Sequence, residues 1–418
     1  MSFKTNSQYE MEKYLQNEAK TAIMTSVDEL TLVVRPTADT IGEYPEHWSQ
    51  IAGDLAINVA EKLLAPIILG NYCELTRKPN GYTNGFTFDK MPHGFAIAWH
   101  ETYFTMGIII KFSASALSHY QSIYKERYGE NIDVYEIVQA LAEPYWELRI
   151  SRIDLAVDYF NYEMTVNDIY QGIKTGDITI RNHEGKKSRS KHSAVENNGI
   201  ANTIYIGSKK KNGNALLRIY DKYQEQIDSK GRFLHLTKYC NSWVRFEVSY
   251  RHSYSNQILP LLLIIDSPQE LSQLIIDKLL DKYRFIGSSN KAIPFTQDLL
   301  EQLKESFPPL KSVPSRNNDL AATIHYTMKG SGFYPLLKKI EKIWGTQARN
   351  HFIIRLVQEY EANYYPNKDV EIWLNKFGKG LVDLNFSDYL EDTFTVFYKN
   401  NDITPKRPAK NTKSDADK

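Results

Sequence analysis

The stretch RIDLAVD, residues 152–158, alternates polar and apolar side chains with period two. Ile153, Leu155 and Val157 fall on one side, and Arg152, Asp154 and Asp158 on the other, as in a β-strand with one face on a core. Two later stretches repeat the arrangement. In VRFEVSY, residues 244–250, an apolar row of Val244, Phe246, Val248 and Tyr250 backs a polar row of Arg245, Glu247 and Ser249. In ALLRIY, residues 215–220, Leu217 and Ile219 face inward with Ala215, leaving Leu216, Arg218 and Tyr220 outward. Each strand thus presents an arginine with an acid or a tyrosine two residues on: Arg152 with Asp154, Arg245 with Glu247, Arg218 with Tyr220. If the three are neighbours in one antiparallel sheet, these groups form a single patch.

Working outward, NTIYI (202–206) and ALLRIY flank GSKKKNGN, where Gly207 and the Asn212-Gly213 pair supply turn chemistry. An antiparallel hairpin with a lysine-rich tip follows. Upstream, DELTLVVR (28–35) reads as a strand closed by Pro36, and residues 52–67 have the spacing of an amphipathic helix. Further strands are expected at 86–88, 95–99 and 106–112, and helices over Ser113 to Tyr124 and Val134 to Glu147. SFPPLKSVPSRNND (306–319) is rich in proline and polar residues, and helical periodicity dominates from Phe333 to about Tyr398. The expected architecture is α+β. It comprises an N-terminal arm over 1–27, an antiparallel β-sheet domain with flanking helices over 28–290, a linker over 291–319, a small helical domain over 320–400 and a disordered tail over 401–418.

Composition narrows the class. The N-terminal MSFKTNSQYEMEKYLQNEAK lacks the apolar core of a secretion signal, so a cytoplasmic location is expected. The longest apolar run, ILPLLLII (258–265), is far short of the ~20 residues that span a bilayer, so no membrane partner is expected. Cys73 and Cys240 have no CxxC spacing, which argues against a disulfide framework or a cysteine-rich zinc site. The formal net charge is only +1, yet residues 178–222 hold ten Lys/Arg against Glu184, Glu196 and Asp221. Such a local excess of positive charge points to an anionic partner, nucleic acid first. Its carriers include Lys186, Lys187, Arg189, Lys209, Lys210 and Lys211.

The patch suggests metal-assisted phosphoryl transfer. Carboxylate oxygens hold Mg²⁺ or Mn²⁺, and arginines neutralise the charge that develops in the transition state. A tyrosine oxygen then attacks phosphorus; at an ordinary pKa of about 10, the phenol needs a base or cations to lose its proton. Asp154 and Asp158 stand roughly 13 Å apart at ~3.3 Å per residue, too far to ligate one ion. Asp154 with Glu247 is therefore the expected pair, and Asp158 an alternative or supporting acid. Cross-strand ion pairs on an outer sheet face would give the same pattern. Tyr205 and Tyr223 remain rival nucleophiles to Tyr220. The sequence has no His-hydrophobic-His pair, no GxxxxGK[ST], no HExxH and no GxSxG, so a built-in ATP site, a metalloprotease and an esterase have no support.

The succession KFSASALSHY (111–120), RIDLAVDYF (152–160), NTIYIGSKKKNGNALLRIYDKYQE (202–225) and VRFEVSYR (244–251) resembles the replication initiation factors of the Rep_trans type over roughly residues 28–265. These are rolling-circle initiators of plasmids and some phages, with relatives that serve conjugative transposons as relaxases. The resemblance implies a degenerate relative of the two-histidine nuclease fold, in which acidic residues hold the metal. It implies a sequence-specific DNA nickase working without ATP, in which a tyrosine forms a 5′-phosphotyrosyl link and frees a 3′-OH for a polymerase. It also implies homodimers, double-stranded origin DNA and single-stranded DNA as substrates, and a recruited host helicase. Carried over, Tyr220 is the nucleophile, flanked by Arg218 and Lys222. Asp154 and Glu247 are carried over as the metal candidates; the residue pattern itself adds Asp158 as a further candidate, and Arg152, Arg245 and the basic residues named above as expected DNA contacts. A relaxase of a mobile element, or a non-catalytic DNA-binding regulator, are the alternatives.

Overall fold

The three stretches with matching period two are strands of one sheet, and that of residues 244–250 lies between the other two. A computed structural model describes residues 3–5, 8–17, 20–37, 47–188, 190–209, 213–311 and 320–366, with scattered positions between 370 and 393. The chain divides into two units, Met1–Ser312 and Val313–Lys418. The strands of the first unit are β1 (Phe3–Thr5), β2 (Ala22–Pro36), β3 (Tyr72–Glu74), β4 (Asn84–Phe88), β5 (Phe95–Trp99), β6 (Ile108–Phe112) and β7 (Trp146–Phe160). They continue with β8 (Ile178–Arg181), β9 (His192–Asn197), β10 (Ile200–Gly207), β11 (Ala215–Asp221), β12 (Trp243–Arg251) and β13 (Arg284–Gly287). Eleven of them form one sheet in the order β3-β4-β5-β6-β2-β7-β12-β11-β10-β9, with β1 parallel to the start of β2 and the other pairings antiparallel; β8 and β13 pair separately.

Its helices are α1 (Gln8–Asn17), α2 (Trp48–Lys62), α3 (Ala65–Ile68), α4 (Ala114–Tyr128), α5 (Val134–Ala140), α6 (Val166–Thr175), α7 (Lys222–Ser229), α8 (His252–Leu262), α9 (Pro268–Lys282) and α10 (Pro294–Gln302). The apolar rows read from the sequence lie in one core: Ile153, Leu155, Val157, Leu217, Ile219, Val244, Phe246, Val248 and Tyr250 are all buried there. Helix α9 lies on this face, where Thr25 Oγ1 donates to Ser272 Oγ at 2.9 Å and the Tyr250 hydroxyl to the Lys278 carbonyl at 2.6 Å.

Several expected boundaries move. The helix expected over Val134 to Glu147 ends at Ala140, and β7 begins at Trp146. Pro144 between them supplies no N–H and disfavours helical backbone at the residue before it. The stretch expected to be linker from residue 291 carries α10, whose Phe295 and Leu299 are buried, and Leu310 is buried as well. The second unit is helical where described, with α11 (Leu320–His325) and α12 (Phe333–Asn363), the latter interrupted at Gly345 by extended backbone with positive φ. The expected tail over 401–418 lies outside the described residues.

Close approach of β6 to β2 requires a glycine. Gly107 has φ 68° and ψ −166° just before β6, and an added Cβ would sit 2.5 Å from the Val34 carbonyl oxygen. That backbone region is closed to other residues. Gly107→Ala is expected to destabilise the first unit by about 1–3 kcal/mol, read as a lower urea midpoint at unchanged slope.

Candidate active site

The register places the polar rows side by side. On β12, Ser249 stands opposite Asp154, Glu247 opposite Ala156 and Arg245 opposite Asp158 of β7. On the other flank of β12, Glu247 faces Arg218 and Arg245 faces Tyr220 of β11. Beyond β11, Tyr205 of β10 faces Arg218. The expected neighbours are neighbours, but the outward face is not an open surface. Asp154 is 2% exposed, Asp158 0%, Arg245 3% and Tyr220 6%.

Charges buried to that degree must be paired, and they are. Arg152 closes a fork on Asp154, Nε to Oδ1 at 2.8 Å and Nη2 to Oδ2 at 2.5 Å, and its Nη1 donates to Glu29 at 2.9 Å. Arg245 pairs across the strands rather than with Glu247. Its Nε and Nη2 donate to the two oxygens of Asp158 at 2.7 Å each, and its Nη1 to Asp28 at 2.5 Å. Trp243 Nε1 adds a third donor to Asp158 at 2.6 Å. Glu247 takes Arg218 instead, Nη2 to Oε2 at 2.7 Å, and the same oxygen accepts from the Tyr220 hydroxyl at 3.3 Å.

Tyr220 is enclosed by cations. The Arg218 guanidinium lies 4.2 Å from its ring centroid, and Lys222 Nζ 5.5 Å away, itself paired with Glu225 at 2.6 Å. Burial raises the phenol pKa well above the ordinary tyrosine value; Glu247 and Asp28 add to this, and Arg245 and Arg218 oppose it. Burial also raises Glu247, with Asp28 adding to it against Arg218 and Arg245. At rest, then, the site holds a neutral phenol donating to an acceptor whose own proton affinity is elevated. Arg218 Nε is buried without a hydrogen-bond partner, while the side chain as a whole stays partly exposed.

Asp28 and Glu29 were missed as site residues, and the reason is geometric. Adjacent residues in a regular strand point to opposite faces, but β2 shifts register between Val27, opposite Leu155, and Glu29, opposite Asp154. The extra residue is a bulge, and it brings both acids to the arginines of β7 and β12. The sign of it in the sequence is two consecutive acids in the middle of a strand whose apolar phase changes there.

The rival tyrosines lie differently. Tyr205 is partly exposed with Lys209 Nζ 3.5 Å from its ring centroid, while Tyr223 packs against a small cluster containing Leu236 and Trp243. Among the basic residues, Lys186 is exposed and paired with Glu184 at 2.8 Å, and Lys187 bridges to Arg181. Arg189, Lys210 and Lys211 lie outside the described residues. No helix among the described residues is long and apolar enough to cross a membrane.

Residues 148–354 match the family model described as replication initiation factor, Rep_trans. No curated protein matches the chain. Among solved structures, a rolling circle replication initiator protein from Geobacillus stearothermophilus is similar over 69% of this chain and 100% of its own, at 18% identity and a TM-score of 0.47.

Proposed function

From the match of residues 148–354 to the replication initiation factor family we propose that the protein nicks one strand of a specific origin through a phosphotyrosine intermediate and so starts rolling-circle replication. One observation carries the chemistry. The Tyr220 hydroxyl rests 3.3 Å from Glu247 beneath the Arg218 guanidinium, on a sheet face that gathers three arginines, 152, 218 and 245, and five carboxylates, 28, 29, 154, 158 and 247. Glu247 Oε2 accepts the phenol proton as Tyr220 Oη attacks phosphorus. The P–O3′ bond breaks, the 3′-oxygen leaves and takes up a proton, and the 5′-phosphate stays on the tyrosine. Arg218, whose side chain is partly exposed, steadies the phosphate oxygens as charge develops. Lys222 contributes to the same field.

The donor set fits a divalent cation. No group of three His, Cys, Asp or Glu among the described residues is arranged as a cage. Mg²⁺, however, is commonly held by one or two carboxylates together with substrate phosphates. Glu29 is raised first by burial and further by Asp154, and Glu247 by burial and Asp28, so the acids repel each other even with their arginines in place. The expected pairing of Asp154 with Glu247 does not form: Arg152 takes both oxygens of Asp154, so Glu247 with Asp28 would hold Mg²⁺ or Mn²⁺. The ion, when bound, polarises a phosphate oxygen. Asp158 has both oxygens engaged by Arg245 and Trp243, and its part is to hold Arg245 in place.

The test is incubation with supercoiled DNA carrying the cognate origin and Mg²⁺ or Mn²⁺. Nicked circles should accumulate with protein linked to the 5′ end, and the adduct should map to the peptide containing Tyr220. An adduct on Tyr205 would reassign the nucleophile; no nicking and no adduct would sink the enzyme reading and favour a DNA-binding regulator. Homodimers and recruitment of a host helicase and polymerase belong to the same proposal.

The lysine-rich stretch gives a separate prediction. Replacing Lys209, Lys210 and Lys211 by alanine is expected to weaken origin binding and to flatten its salt dependence by about 2–3 in the slope of log K against log salt. A slope equal to that of the wild type would place these lysines away from DNA.

A further inference from the structure

Next to the patch lies a cavity of about 530 Å³, enclosed by α4, β2 and the turn that follows α7. We propose that it seats one unpaired nucleotide of single-stranded DNA beside the scissile phosphate, an inference that rests on the nicking function proposed above and adds where the flanking base is held. Position is the first argument. Lys222 and Arg245 line the cavity, and these same residues flank Tyr220, one 5.5 Å from its ring and the other opposite it in the ladder. A strand whose phosphate reaches Tyr220 therefore passes the mouth of the cavity.

Size is the second. The volume falls within the range of small-ligand pockets and suits one nucleotide, whereas a base pair with both its backbones would not enter. The lining is the third. Phe233 forms part of the wall, with the Arg232 guanidinium 5.5 Å from its ring centroid. An aromatic face with an arginine beside it is a stacking platform for a base. Across from it, α4 presents Ser115, Ser118 and Ser122, spaced three and four apart on one helical face. Their short side chains leave the space open, and their hydroxyls can bond base edges. Arg232 Nη2 donates to Ser122 Oγ at 2.9 Å, which ties the two walls together.

The acids in the lining do not oppose an anionic strand. Asp28 is paired with Arg245 at 2.5 Å and Glu225 with Lys222 at 2.6 Å.

Two measurements on the full chain test this. First, wild-type protein is irradiated with a short oligothymidylate carrying one 4-thiothymidine, and the crosslinked peptides are mapped. Crosslinks within residues 113–122 or 231–233 support the cavity; crosslinks confined to other segments, the 192–209 hairpin included, overturn it. Second, the affinity for a fluorescein-labelled oligothymidylate is read by anisotropy. Ser118→Leu, which fills the space, should weaken it about tenfold, the scale of one lost stacked base, and Ser118→Ala, which keeps the space and removes only one hydroxyl, should weaken it less. Equal affinities for Ser118→Leu and wild type overturn the proposal. Origin nicking by wild type is scored separately. A crosslink in the cavity without nicking removes the proposed catalysis and keeps the single-strand site, whereas nicking with crosslinks only elsewhere does the reverse.

Discussion

Tyr220→Phe is expected to lose the covalent protein–DNA adduct entirely and to slow origin nicking by at least about a thousandfold, the scale seen when a nucleophile that works with its base is removed. The substitution is mild for the fold. The ring keeps its place under Arg218, 4.2 Å away, and only the 3.3 Å hydrogen bond to Glu247 is lost. One such bond is worth about 0.5–1.5 kcal/mol net, and more for a charged partner, so urea unfolding should shift little. Binding to origin duplex should persist, because the substitution leaves every basic residue proposed to contact phosphates unchanged. Tyr205→Phe serves as the control: it removes a partly exposed hydroxyl one strand away and should nick at close to the wild-type rate. Nicking by Tyr220→Phe within tenfold of wild type would remove Tyr220 from the chemistry.

The second large effect is on stability. Asp158→Ala should cost about 3–5 kcal/mol, because it strands a guanidinium that is 3% exposed and leaves it only Asp28. The cost is that of an uncompensated buried charge rather than the worth of the ion pair. The double variant Asp158→Leu, Arg245→Met should therefore recover much of the loss, since apolar side chains of similar volume replace buried pairs at little cost. It should not recover nicking, because Arg245 stands opposite Tyr220 and its charge opposes the rise in the Tyr220 and Glu247 pKa values. Equilibrium unfolding of the two single variants and the double gives the comparison. A double variant no more stable than Asp158→Ala would contradict this account.

Much of this was legible in the sequence because period two is a property of single strands. The apolar rows of RIDLAVD, ALLRIY and VRFEVSY all reach the core, and the face carrying Arg152, Asp154, Arg218, Tyr220, Arg245 and Glu247 is the expected one. What could not be read depends on pairs of strands. Arg245 chooses Asp158 across the ladder and not Glu247 on its own strand, and a choice of that kind is set by register. Burial was equally hidden: a polar row reads as outward, yet α1 and the segment around Leu236 to Trp243 pack a second small core, with Met24 and Phe160, on this side of the sheet. Strands β8 and β9 went unnoticed because their sequences, ITIR and HSAVEN, are short or mostly polar. An edge strand such as β9 has little apolar surface to announce it.

The bulge at Asp28 has a consequence for how β2 is used. Ile23 and Leu30 both face the main core although one is odd-numbered and the other even, whereas Met24 and Glu29 both lie toward the opposite side. The strand is thus written in two reading frames, and Asp28 is the frameshift between them. Removing that one residue would do more than delete a carboxylate. One half of β2 would have to slide against β7, turning Ile23 out of the core or Glu29 into it, so the acid opposite Arg245 and the phase of the central strand are fixed by the same single residue.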